Sequence, residues 1–359
     1  MTQTLPYFLI LSIWLQDKKM KAYTLTKHGK PSVLKIAEVP EPEPNAGEIR
    51  IKIKRIGINY AEILSRKGMY GWAPKLPYIL GMEAFGEVDA LGENVSHRQI
   101  GEHVIVGTQF GSYAEKIIVK ERQALPVIES FSPEENAAYA VNYLTAWVSL
   151  FEMARLRSTD SVLIHAAAGG VGTAAVQLAK HFGCTVFGTA GSDEKIKLLS
   201  DLNIDGAINY RTQDFENEIK KLTNGKGVDV ILEVVGGDVY KKSLRLLNPL
   251  GRIVIAGFAS MNLQKWNPLS WLRTWRDMPK ATIMKMAEKS YGVMATHLGY
   301  LLPDEKQLQK TWNELNTFME KNNIKPVVGH IFNFEELAKA HELMESRKSH
   351  GKIVINVSS

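Results

Sequence analysis

Cysteine is nearly missing: Cys184 is the single example in 359 residues. One thiol cannot close an internal disulfide, which excludes a disulfide-stapled secreted fold and points to a reducing, cytoplasmic setting. It also excludes a thiolate-rich zinc site within the chain. Cys184 itself lies in an apolar segment and reads as buried packing rather than as a nucleophile. Long apolar runs are missing too. Residues 5–15 are apolar, but a membrane-spanning helix needs ~20 such residues, and no positive charge precedes the run as a signal peptide would require. Met20 opens a strand-like segment, so residues 1–19 are expected to be an extension outside the fold. A membrane-touching segment is the competing reading. No block of five basic residues occurs, and no aromatic–basic platform accompanies the net charge of +6. Nucleic-acid binding therefore has little support, and the basic balance fits either a solvated surface or an anionic cofactor.

What is present is ordinary for a globular chain: 45% apolar and 23% charged residues. The length suggests two domains. Residues 20–140 read as β-rich. Residues 48–54 alternate apolar and polar, as a half-buried strand does, and the proline-punctuated stretch 38–44 before them reads as an extended connector. Glycines at 81, 86, 92, 101, 107 and 111 cut the next stretch into short strands suited to a small irregular barrel. Residues 133–150 are helical in pattern. From Ser161 onward, apolar runs at 162–164, 185–187, 207–210, 228–232 and 252–255 alternate with helical patterns at 172–182, 193–202, 213–222 and 239–247. That alternation predicts an α/β fold with a doubly wound parallel sheet. Residues 292–295 supply a sixth strand, 304–322 a further helix, and 352–357 a closing strand. The tryptophan- and methionine-rich stretch 261–290 reads as two helices with an apolar face.

The most informative motif runs from the strand Val162, Leu163, Ile164 through His165, Ala166, Ala167, Ala168, Gly169, Gly170, Val171 and Gly172 into a helix. Residues without side chains let the backbone approach a pyrophosphate, and the free N–H groups of a helix start face the anion. It is the dinucleotide fingerprint with Ala167 in place of the first glycine, and strand before plus helix after make it specific. The second strand then decides the cofactor. An NAD enzyme places a carboxylate at its end, but that position falls near Ala190. Ser192 and Lys195 follow, a hydroxyl and a cation, and Tyr210 is placed to close the same pocket. NADPH is therefore favoured. Asp193 is expected to cap the helix that follows it. His103, His165 and His181 lack metal-ligand spacing, and His165 reads as packed at the end of a buried strand.

The motif from Ala166 to Gly172, with Gly57-Ile58-Asn59-Tyr60, Gly81-Met82-Glu83, the stretch from Val141 and Asn142 to Ala146, and Leu298 to Leu301, resembles a known family. From about Met20 to Val357 the chain is similar to the zinc-independent quinone oxidoreductases of the medium-chain dehydrogenase/reductase superfamily. Within them it resembles the vesicle amine transport protein homologue subgroup. The resemblance implies a GroES-like β-barrel catalytic domain (20–142), a Rossmann NADP-binding domain (143–297), a C-terminal return to the catalytic domain (298–359), and homodimers. It implies that Asn59 sits near the nicotinamide and that Asn142 and Thr145 line the cofactor cleft, with Phe258 in the same set. Lys195, Tyr210 and Arg347 would hold the 2′-phosphate, and Tyr70 would stand at the substrate mouth. Zinc-dependent relatives carry a histidine where Met82 stands and a four-cysteine lobe, and both are absent.

Without a metal, such a site works by positioning a hydride against an acceptor that is already electron-poor, a quinone or an α,β-unsaturated carbonyl. Tyr70 is the candidate proton donor, with water as the alternative. A different class stays open: an NADPH-binding, lipid- or membrane-associated interaction protein with little catalysis, docking through residues 261–290.

Overall fold

A computed structural model describes residues 18–257, 280–301 and 303–357. The first seventeen residues of the expected extension, Phe258, and residues 261–279 of the apolar stretch lie outside them.

The N-terminal strands are β1 (Lys19–Leu25), β2 (Ile36–Pro40), β3 (Glu48–Ile58), β4 (Tyr78–Ile79), β5 (Glu83–Leu91), β6 (His103–Gly107), β7 (Lys116–Lys120) and β8 (Ala124–Pro126). Along β3, Ile49, Ile51 and Ile53 are buried while Lys52 is exposed, the expected period of two. Arg50 breaks it. This arginine is buried and is held by Glu41 and Glu43 at 3.0 Å and Asp89 at 2.8 Å. The connector expected at 38–44 is in part a strand. Glu38 and Val39 belong to β2, which pairs antiparallel with β1, and Pro40 ends it at an edge where a missing N–H costs no ladder bond.

The second unit contains β9 (Ser161–Ile164), β10 (Thr185–Ala190), β11 (Gly206–Asn209), β12 (Val228–Glu233), β13 (Leu247–Ile255) and β14 (Gly292–Ala295), all parallel in the order β11-β10-β9-β12-β13-β14. Val162 and Ile164 of β9 face one apolar cluster and Leu163 faces another, so helices cover both sides of the sheet. The strand order reverses beside β9, which opens a crevice above its C-terminal end. The helix Glu305–Lys321 packs Trp312, Leu315 and Met319 into the first of these clusters. Its residues therefore still belong with the parallel sheet, and the chain rejoins the barrel later, through β15 (Val328–Asn333) and β16 (Lys352–Asn356). β16 lies between β15 and β3 in the barrel sheet. Among the described residues no helix is long and apolar enough to cross a membrane.

Candidate functional site

The glycine-rich turn leaves β9 and enters the helix Gly170–Phe182 with Gly169 at the N-cap and no side chain capping it. The first amides of this helix thus lack the side-chain acceptor that a serine or aspartate would offer. Gly172 has no room for a side chain: a Cβ there would lie 2.3 Å from the carbonyl oxygen of Ala166 and 2.6 Å from that of Ala167. Ala167 fits in place of a glycine because Gly188 of β10 faces it. A Cβ on Gly188 would stand 2.7 Å from the Ala167 methyl. Asn142, on the helix Ala140–Trp147, fills the space above Gly170, where a Cβ would meet its amide nitrogen at 2.5 Å. Thr145 lies one turn further along, nearly buried. On its other side the turn is braced by the Gly351 N–H, which donates to the Ala168 carbonyl at 2.8 Å.

At the end of β10 the residues expected around a 2′-phosphate come together. Lys195 Nζ donates to the Arg347 carbonyl at 2.8 Å, and the Tyr210 hydroxyl lies against Gly191, whose Cβ would touch it at 2.5 Å. Burial, and less so the neighbouring Arg211, holds the Lys195 ammonium below its usual pKa. The helix cap differs from expectation. Ser192, not Asp193, caps the helix Asp193–Asp201, accepting from Lys195 N at 3.4 Å, while Asp193 accepts from Asn209 Nδ2 at 2.8 Å. Ser192 matches the N-cap geometry because its backbone is extended and its short hydroxyl reaches back to the third amide.

Asn59 is buried at the start of the helix Tyr60–Arg66, and its amide is fully engaged by the protein. Its Nδ2 donates to Glu83 Oε1 at 3.0 Å and its Oδ1 accepts from Lys352 Nζ at 2.7 Å. Lys352 also pairs with Glu83, whose second oxygen accepts from Val141 N at 2.9 Å. Gly57 makes space for this pair, since a Cβ there would meet Lys352 Cε at 2.7 Å. Beside it runs a chain of buried polar groups with a fixed polarity. Arg66 Nε donates to His341 Nδ1 at 3.3 Å, so His341 Nε2 carries the proton and donates to the Tyr113 hydroxyl at 2.9 Å. Tyr113 in turn donates to Glu62. Glu62 also accepts from the amides of Asn59 at 2.8 Å and Met82 at 2.7 Å. Those donors favour the carboxylate, yet burial outweighs them and pushes Glu62 up to about 7.

Tyr70 stands where the two domains meet. Its hydroxyl lies 2.9 Å from Nε2 of His297, which follows β14 at the carboxyl end of the parallel strands, the end that also carries the glycine turn after β9. Trp72 stacks on His297 at 3.9 Å between ring centroids and donates from Nε1 to the Tyr300 hydroxyl at 3.1 Å. The sequence reading had missed His297, as it had Glu62, Tyr113, His341 and Lys352. Two other residues are structural. His165 bonds Thr189 at 3.1 Å and Ser243 at 2.8 Å, and burial pushes it down to about 3. Cys184 is buried, with its thiol pushed up to about 12.

Known proteins share this fold. Residues 45–129 match the family described as the alcohol dehydrogenase GroES-like domain, and residues 170–295 match that described as zinc-binding dehydrogenase. The synaptic vesicle membrane protein VAT-1 homolog of Rattus norvegicus is 35% identical over 94% of this chain and 84% of its own. The chain belongs to the medium-chain dehydrogenase/reductase superfamily. The quinone oxidoreductase of Rattus norvegicus is 31% identical over 94% of this chain and 98% of its own. The solved structure of Escherichia coli quinone oxidoreductase complexed with NADPH superposes with a TM-score of 0.82, at 28% identity over 94% of this chain and 99% of that one. The barrel and the parallel-sheet domain are those of this superfamily. The zinc named by one family description finds no matching donor set: among the described residues no three His, Cys, Asp or Glu side chains are grouped to hold a metal ion.

Proposed function

We propose that this chain is a zinc-independent, NADPH-dependent reductase that delivers hydride to an electron-poor acceptor, a quinone or an α,β-unsaturated carbonyl. The observation that carries the reading is the uncapped helix start at Gly169, with the Lys195 ammonium, bonded to the Arg347 carbonyl and near Arg211, at the neighbouring strand end. Ala168, Gly169, Gly170, Val171 and Gly172 would receive the pyrophosphate on backbone amides. Ser192, Lys195, Tyr210 and Arg347 would take the 2′-phosphate. Asn142 and Thr145 would line the cleft, and Asn59 would border it through its bonds to Glu83 and Lys352. The bound dinucleotide supplies a hydride and its electron pair. The protein's part is to exclude water, orient the acceptor and deliver a proton, for which Tyr70 is the candidate acid. Burial pushes its phenol up to about 12, so it stays protonated at neutral pH. The edge position of β14 in the six-stranded sheet supports homodimers formed by pairing of two such edges.

NADPH oxidation followed at 340 nm against a panel of quinones and enones, with NADH in parallel, tests the reading. Turnover with NADPH preferred is expected. Tight NADPH binding with no acceptor reduced would favour a second reading, a lipid-associated NADPH-binding protein. That reading draws on Ile283 and Met284, which are 81% and 73% exposed. Flotation with liposomes, before and after Ile283→Ser and Met284→Ser, separates the two.

A further inference from the structure

His297 is joined to Tyr70 by one ring nitrogen, and its other, Nδ1, is buried with no hydrogen-bond partner among the described residues. Two arrangements satisfy the 2.9 Å contact. With the proton on Nδ1, Nε2 accepts the phenol proton and a buried N–H is left without an acceptor. With the proton on Nε2, the histidine donates to the phenol oxygen and only a lone pair is left unmet. An orphaned donor is the rarer defect in protein interiors, because an acceptor can still be met in part by weak contacts.

We infer that His297 is a positioning residue whose Nε2–H is donated to the Tyr70 oxygen, leaving the phenol's own proton free to point into the cleft and reach the substrate. The inference rests on the hydride-transfer reading above. The hydride arrives with its electron pair at the electron-poor carbon, and the π electrons move to the conjugated carbonyl oxygen. The O–H bond of Tyr70 breaks and its proton goes to that enolate. The phenolate left behind is stabilised by the N–H of His297 and regains a proton from water. Burial otherwise makes Tyr70 a reluctant acid, and a donor to its oxygen lowers the proton affinity of the phenolate. The stack with Trp72 fixes the ring plane, so the barrel and the parallel-sheet domain each supply one half of the proton donor.

Nitrogen-15 NMR of histidine-labelled, unliganded protein, assigned with His297→Phe, reads the tautomer directly. A protonated Nε2 with a bare Nδ1 is expected, and the reverse overturns the inference. His297→Gln keeps an N–H near the phenol, whereas His297→Phe removes it. The Phe variant is expected to raise the Tyr70 phenol pKa in an ultraviolet titration, with Tyr70→Phe as reference. It should also cut kcat by tens of fold at similar acceptor KM, while Gln retains most of the activity. Equal losses in Gln and Phe overturn the inference. A wild-type protein that fails to bind NADPH in a fluorescence titration overturns the reading beneath it. That failure is told apart from failure of the inference because the NMR measurement needs no cofactor.

Discussion

Replacing Lys352 by methionine removes the ammonium from a site where it is 2% exposed and its partner Glu83 is 1% exposed. Glu83 keeps two donors, Asn59 Nδ2 at 3.0 Å and Val141 N at 2.9 Å, but loses its only counter-charge among the pairs described. An uncompensated buried charge costs about 3–5 kcal/mol. Spread over the unfolding entropy of a chain this long, about 4 kcal/mol lowers Tm by roughly 5 °C if the chain melts as one unit. Glu83→Gln alone strands the ammonium instead and should cost a similar amount. The double variant strands neither charge and is expected within about 2 kcal/mol of wild type, a coupling of at least about 4 kcal/mol in the cycle. Scanning calorimetry of the four proteins, with far-ultraviolet circular dichroism to confirm native folding, makes the measurement. Additive losses, or a Lys352→Met change smaller than about 1 kcal/mol, would refute the view that the two charges are mutually dependent in the barrel wall.

Other outcomes follow from the same contacts. Lys195→Ala should weaken NADPH about 10- to 100-fold, the worth of one charge-assisted bond of about 1.5–3 kcal/mol, and leave NADH nearly unchanged. Equal loss of both by equilibrium titration removes Lys195 from the phosphate pocket. Glu62 is raised from 4.5 to about 7, so the folded state binds its proton more tightly than the unfolded one. Its contribution is therefore complete below pH 4.5 and is lost as pH climbs to about 7, about 3 kcal/mol in all. Urea unfolding of wild type and Glu62→Gln across that range should give diverging curves, and parallel ones would contradict the assignment. Gly172→Ala puts a methyl 2.3 Å from the Ala166 carbonyl oxygen, so NADPH and NADH affinity should fall together, by more than tenfold, in the same titration. Unaltered affinity would mean that the turn yields without consequence.

The parallel sheet was readable in the chain because each apolar run is short and each is followed by a helix of its own. The runs at 162–164 and 228–232 became β9 and β12, and residues 292–295 became β14 as expected. The stretch 38–44 was misread because prolines mask strand propensity at an edge, where Pro40 needs no partner. Ser192 and Asp193 are both good caps, and only the backbone angles choose between them. The strand–glycine turn–helix was legible because its spacing is local. The partners of Asn59 and Tyr70 were not. Lys352 lies 293 residues from Asn59, and His297 lies 227 from Tyr70, so no periodicity ties them together. A lysine at the head of a strand that is otherwise apolar, 353–355, was the available hint of a buried charge.

Gly351 holds the glycine-rich turn, Lys352 anchors the Asn59 cluster, and residues 353–356 pair with β3 in the barrel. These six positions leave the ribosome after nearly everything they brace. A nascent chain can wind its parallel sheet early, but its cofactor cleft stays open on one side until this segment emerges. The proposed dinucleotide cleft is in this way fully braced only after residue 356 has cleared the ribosome.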